Sequence, residues 1–127
     1  MKPSKIHLHK GSNCLELQFA DDSYQLSAEF LRVHSPSAEV KGHGPGQETL
    51  IHGKLGLGIE NIKAMGNYGL QILFEDGHDS GIYSWNYLKE LCKNEDRLWQ
   101  TYLKKLNKAG KNRDPHTSVI QFNPLTA

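Results

Sequence analysis

Two blocks of period-two alternation, followed by a switch to three- and four-residue spacing, predict an α+β chain. Apolar and polar residues alternate over Ile6–Leu26 and again over Ile59–Tyr83, and from Ser84 the apolar positions recur at helical intervals. The expected architecture is small antiparallel sheets, or one bent sheet, packed against a C-terminal helical segment. A chain of 127 residues builds one domain around one core and is too short for two.

Each element has its own signal. Ile6 and Leu8 alternate with Lys5, His7 and His9, which gives a strand one apolar face and one wet face. Lys10–Asn13 supplies turn residues, Leu15, Leu17 and Phe19 resume the alternation, and Ala20–Ser23 turns the chain again before Tyr24 and Leu26. Ser27 is placed to cap a short helix through Phe30 and Leu31, with Glu29 in its first turn and Pro36 at its end. Residues 41–58 hold six of the twelve glycines and read as a loop, interrupted by a short strand at Thr49–His52. Strands are expected at Ile59–Ala64, Gly69–Phe74 and Ser80–Tyr83, with Asn67 and the Asp76-Gly77 pair at the turns.

From Ser84 onward Leu88, Leu91, Cys92, Leu98, Trp99, Tyr102, Leu103 and Leu106 form one helical stripe. Asn94-Glu95-Asp96 spells a new N-cap with acidic residues in the first turn, so the helix breaks there, and Gly110 stops it. The stripe places Trp99 in the core. The domain is therefore expected to span residues 1–110. Residues 111–127 are polar, contain two prolines and show no period, which reads as a flexible tail whose removal leaves stability nearly unchanged.

Composition narrows the function. Fifteen basic against fourteen acidic residues give a net charge of +1, which argues against a dedicated nucleic-acid binder. Residues 1–88 carry seven Lys/Arg and ten Asp/Glu, whereas residues 89–127 carry eight and four, the pattern of a solvated basic helix face. No apolar run approaches the ~20 residues that cross a bilayer, and no apolar region follows the basic residues at the start. Cys14 and Cys92 match no zinc or redox spacing, so a cytoplasmic protein with two reduced thiols is expected.

Enzyme signatures fail on spacing. No histidine is followed two positions later by Asp or Glu, which excludes the iron-binding facial triad of an oxygenase. Gly53-Lys54 is followed by Leu55 rather than Ser or Thr, Gly42–Gly46 contains a proline where a dinucleotide fingerprint starts its helix, and no Gly-x-Ser-x-Gly elbow exists. His7 and His9 share a strand face and could trap a transition metal, but the local sequence offers them no third ligand. His78, flanked by Asp76 and Asp79 beside the Asp-Gly turn, is better placed, because turns on a rigid hairpin often carry sites.

The runs Leu31–Gly44 and Gly66–Trp85 closely resemble the gamma-butyrobetaine hydroxylase-like N-terminal domains, and the resemblance extends over about residues 4–106. Such domains lead some 2-oxoglutarate oxygenases, are attached to Mrp-type iron–sulfur carriers, and occur as free-standing bacterial proteins, the type this chain is similar to. The resemblance implies a non-catalytic accessory module, acting in trans in iron–sulfur protein maturation or on another cytoplasmic enzyme through an unidentified protein partner. Oxygenase members hold a structural zinc with three cysteines and the histidine of the Asp-Gly-His turn. Those positions fall here on Ser35, Ser37, Val40 and His78, so no metal and no cofactor is expected.

The same resemblance places the loop Ser35–Gly46 beside the turn Asp76–Ser80. That juxtaposition gathers His34, Glu39, His43, His78 and Asp79 into a candidate interaction patch. The alternative is a metal-binding protein using His34, His43 and His78. Neither reading involves nucleic acid or a membrane, and the sequence does not set the oligomeric state.

Overall fold

The first alternating block folds as β1 (Lys5–His9), β2 (Cys14–Phe19) and β3 (Asp22–Ser27), joined by tight turns into one antiparallel sheet in the order β1-β2-β3. The structure, a computed structural model, describes residues 2–42, 44 and 46–116. His7 lies opposite Glu16 and Leu8 opposite Leu15, so the alternation is in phase across the strands. Leu15, Leu17, Phe19 and Leu26 are buried on the inner face. Outer-face positions such as His7, Gln18 and Gln25 are polar.

Ser27 ends β3 and starts α1 (Ala28–Val33), its side chain accepting a hydrogen bond from the Phe30 amide at 3.0 Å. The free carbonyls at the other end of α1 are taken by two tyrosines. Tyr83 Oη donates to the Leu31 carbonyl and Tyr87 Oη to the His34 carbonyl. A single turn of helix, α2 (Ala38–Lys41), follows Pro36. No strand forms at Thr49–His52. That segment runs irregularly over α4, held by the Tyr102 hydroxyl on the Ile51 carbonyl at 2.7 Å.

The second block gives β4 (Ile59–Met65), β5 (Gly69–Phe74) and β6 (Tyr83–Ser84), again antiparallel and in sequence order. The two sheets are separate, rather than halves of one bent sheet. β6 is shorter than the expected Ser80–Tyr83 strand, and the reason is local. After the Asp76-Gly77 turn the chain leaves the ladder and passes the Ser35–Ser37 loop, then rejoins β5 only at Tyr83 and Ser84. Gly81 makes that passage possible. Its φ is +88°, and a Cβ there would stand 2.6 Å from the Ser37 amide nitrogen. Gly69 is required for a similar reason, since a Cβ would meet the Tyr83 carbonyl oxygen at 2.1 Å.

The helical stripe divides into α3 (Trp85–Lys93) and α4 (Glu95–Ala109), with the break at Asn94. Ser84 caps α3 by accepting from the Tyr87 amide at 3.1 Å, while the Asn94 side chain donates backwards to the Glu90 carbonyl. The main core joins both sheets to α1 and α3, through Phe30, Leu31, Ile72, Phe74, Leu88 and Leu91 among others. α4 contributes differently from expectation. Tyr102 and Leu106 are buried with Val33 in a second, smaller cluster, but Trp99 is only half-buried at its edge.

Gly110 ends α4 in the left-handed conformation, yet the chain does not leave the domain there. The amides of Gly53 and Leu55 donate to the carbonyls of Asn112 and Arg113, and the Arg113 guanidinium forks onto the buried Glu29 carboxylate. A carboxylate that α1 buries needs a cation, and the chain beyond Gly110 supplies it. The domain boundary therefore lies beyond Gly110, past Arg113. The rest of the expected tail, residues 117–127, falls outside the described residues.

Candidate functional site

The loop after α1 and the turn after β5 meet at His78. Ser35, Ser37, Val40 and His78 are all buried, with Ser35 fully so. His78 Nε2 lies 2.9 Å from Ser35 Oγ and 3.5 Å from Ser37 Oγ. Ser35 Oγ also accepts from the Ser37 amide at 3.3 Å, which folds the Ser-Pro-Ser loop around its own hydroxyl. The resemblance sets these four positions against a zinc site, and their chemistry does not fit one. One imidazole, two neutral hydroxyls and an isopropyl group offer a single good donor where structural zinc takes four nitrogen or sulfur ligands. The hydroxyls instead hydrogen-bond the nitrogen that would have to coordinate.

Beside this latch is a small charged recess of about 280 Å³, lined by Arg32, Glu39, Asp76, His78 and Asp79. Asp76 organises it. One carboxylate oxygen accepts from the His78 amide at 3.0 Å, and the other from Arg32 Nε at 2.9 Å and Lys54 Nζ at 2.7 Å. Burial alone would raise the Asp76 carboxyl, but these donors outweigh it and hold its pKa at about 2. Burial also lowers the pKa of His78, helped by the Arg32 charge and opposed by Glu39, Asp76 and Asp79. Glu39 lies 3.8 Å from His78 Nδ1 and its own side chain is mostly exposed.

His34 faces a different space. It lines a groove of about 560 Å³ between α4 and the 48–51 segment, floored by Val33, Leu50, Ile51, Leu98 and Tyr102. Lys41, Lys105 and Lys108 stand around this groove, with Glu48 as its one carboxylate. His34 Nδ1 is 2.8 Å from the Phe30 carbonyl, and a carbonyl can only accept, so Nδ1 carries the proton and Nε2 keeps its lone pair. Burial lowers the pKa of His34 as well, and Lys41 and Lys105 add to that effect.

The four described patch residues are thus divided by α2. Glu39, His78 and Asp79 share the charged recess, while His34 lies in the groove on the other side, next to Val40 and Lys41. His34 and His78 line different recesses. His43 lies outside the described residues. Sequence reading missed Arg32 and Asp76 as partners, although both stand in the two runs that carry the family resemblance. It also missed the groove, whose signal was Tyr102, Lys105 and Lys108 at three-residue spacing on α4. Cys92 is buried with its thiol pushed up to about 12 by burial, so it is chemically quiet.

Three solved structures are similar to this chain. One solution structure shares 52% identity with a TM-score of 0.82, covering 95% of this chain and 96% of that one. A second shares 42% identity with a TM-score of 0.76, covering 90% and 86%. A crystal structure of a protein of unknown function from Acidithiobacillus ferrooxidans, placed in the DUF971 family, shares 31% identity with a TM-score of 0.58, covering 71% and 91%. No curated protein matches. Among the described residues no helix is long and apolar enough to cross a membrane. A profile described as gamma-butyrobetaine hydroxylase-like, N-terminal, matches residues 6–89, and the chain belongs to that family.

Proposed function

We propose that this domain is a non-catalytic accessory module of the cytoplasm that binds a partner protein through the α4 groove. One observation carries the reading: an apolar floor of Val33, Leu50, Ile51 and Leu98 is surrounded by three lysines and a single carboxylate. That combination suits an acidic segment with apolar side chains, which would bury those side chains against the floor and set its charges against Lys41, Lys105 and Lys108. Exposed Glu39 and Asp79, across the α2 ridge, would repel such a segment and so confine it to the groove. The recess does not read as a reaction centre, because His78 and Asp76 are both engaged by groups of the domain itself. The near-neutral total charge also favours a protein client over nucleic acid. The fusions known for such domains favour a client that is an enzyme or an iron–sulfur carrier, reached in trans.

Affinity capture from the native cytoplasm, with wild-type and Lys105→Glu/Lys108→Glu baits, tests this reading. Both lysines are exposed, so the substitution spares the fold. The proposal expects a defined partner, recovered at least tenfold less by the charge-reversed bait and then reconstituted from purified components. Equal recovery by both baits, or no partner that survives reconstitution, overturns it.

A further inference from the structure

The outer face of the β1–β2 hairpin carries a group that neither the family zinc site nor the groove involves. β1 places His7 and His9 two residues apart on one face, and the register sets Glu16 of β2 directly opposite His7. Their rings are stacked with centroids 4.1 Å apart. His9 Nε2 is 2.9 Å from Glu16 Oε1, and one ligand atom from each of the three residues lies within 4.8 Å of the others. Among the described residues this is the one trio of His, Cys, Asp or Glu close enough to share an ion.

We propose that His7, His9 and Glu16 form a surface site for a late first-row divalent metal ion such as Zn²⁺ or Cu²⁺. Two borderline imidazole nitrogens beside one hard carboxylate suit these ions better than Mg²⁺ or Ca²⁺, which take all-oxygen ligand sets. Bonds of 2.0–2.1 Å in tetrahedral geometry need ligand atoms ~3.3 Å apart. His9 and Glu16 are already closer than that, and exposed His7 needs only a side-chain rotation to close the set. The second Glu16 oxygen accepts from Ser23 Oγ at 3.3 Å, an outer contact that orients the carboxylate. Binding replaces the His9–Glu16 hydrogen bond with two bonds to the ion. Three protein ligands leave at least one position open to water or an exchanging ligand, so the site suits ion transfer or an added partner ligand rather than structural support. Lys5, on the same face, opposes the ion's charge and keeps the affinity moderate.

Calorimetric titration of ZnCl₂ and CuCl₂ into tag-free full-length protein tests the site, with imidazole NMR signals as a second readout. The expected result is one ion per chain, shifts at His7 and His9, and binding weakened about tenfold or more by His9→Ala or Glu16→Gln. His78→Ala should leave binding unchanged. Thermal melts of each variant confirm that the fold persists, as an exposed strand face permits. Absence of binding at millimolar Zn²⁺ and Cu²⁺ overturns the site. So does binding that survives His7→Ala/His9→Ala, or equal competition by Mg²⁺.

Discussion

Arg113 closes onto Glu29 with both nitrogens of a fork, at 2.7 and 2.8 Å, and so ties the chain beyond the last helix to the first turn of α1. The Glu29 side chain is 7% exposed and that of Arg113 37%. The guanidinium also lies 5.0 Å from the centre of the Trp99 ring, stacking the same residue on a second partner. Removing Arg113 would strand a buried carboxylate, a costly change even when the intact pair itself contributes little. Arg113→Ala should therefore cost about 2 kcal/mol, a value reduced from that of a fully buried pair because Arg113 is partly solvated. Truncation after Gly110 should cost at least as much, since the hydrogen bonds from Gly53 and Leu55 go too. Urea denaturation of the three proteins gives the answer, and a truncated protein as stable as the full chain would refute the link.

His78 and Ser35 form the latch between the α1–α2 loop and the β5 turn. Ser35→Ala leaves His78 Nε2 with only the long contact to Ser37, and should cost about 1–3 kcal/mol for a buried polar group left poorly paired. Thermal melts with and without a strong chelator should coincide, because hydrogen bonds rather than a metal close this latch. A drop of many degrees on chelation would mean that folding energy comes from an ion.

The latch geometry also predicts a gain of function. Replacing Ser35, Ser37 and Val40 together by cysteine should yield a chain that takes up one zinc ion per molecule and whose melting temperature falls when the ion is removed. Ser37 and Val40 are linked by the single turn of α2, with the Val40 amide on the Ser37 carbonyl at 3.1 Å, so the three thiols would arrive on one compact loop beside His78. Zinc content and melts of the triple variant decide it, and a variant that folds but binds no zinc would show that the loop holds the wrong shape.

Strands and helices were legible wherever a period ran for five or more residues, as in β2, β5 and α3. What failed to show were contacts between distant segments. The fate of Ser80–Ile82 depends on Ser37, more than forty residues earlier, so alternation alone extended β6 too far. Arg113 was hidden in an aperiodic stretch because its role comes from Glu29. The third ligand beside His7 and His9 was closer to hand. A hairpin turning over residues 10–13 sets Glu16 across from His7 once the register is counted.

Trp99 sits at the edge of the smaller cluster, with Phe30 at 6.4 Å and Tyr102 at 5.3 Å between ring centres. Its half-burial means that truncation forfeits less than a full core aromatic. Trp99→Ala should cost about 2 kcal/mol, below the ~3–5 kcal/mol of a fully buried ring, whereas Tyr102→Ala should fall within that higher range. Tyr102 also loses its hydrogen bond to Ile51. A Trp99 variant more damaging than the Tyr102 variant would mean that the order of burial is reversed in solution.

Acid should weaken this fold in two stages. His34 and His78 both have lowered pKa values, each chiefly because burial disfavours the charged ring. Below the ordinary histidine pKa of about 6.5 the unfolded chain takes up protons that the folded chain resists. Unfolding therefore binds protons, and stability declines as pH falls from about 6.5 through the lowered values, then levels off once both states are charged. Asp76 acts further down. Its folded pKa of about 2 lies below the value in the unfolded chain, so the stability it contributes is present at neutral pH. That contribution is lost between about pH 4 and pH 2 as the carboxylate leaves Arg32 and Lys54. Urea midpoints at unit intervals from pH 8 to pH 3 should show a decline starting near pH 6.5 and a second one below pH 4. His34→Gln/His78→Gln should flatten the first stage and spare the second, while Asp76→Asn should do the reverse. A wild-type midpoint that is flat between pH 7 and pH 5 would show that neither imidazole is held neutral by its surroundings.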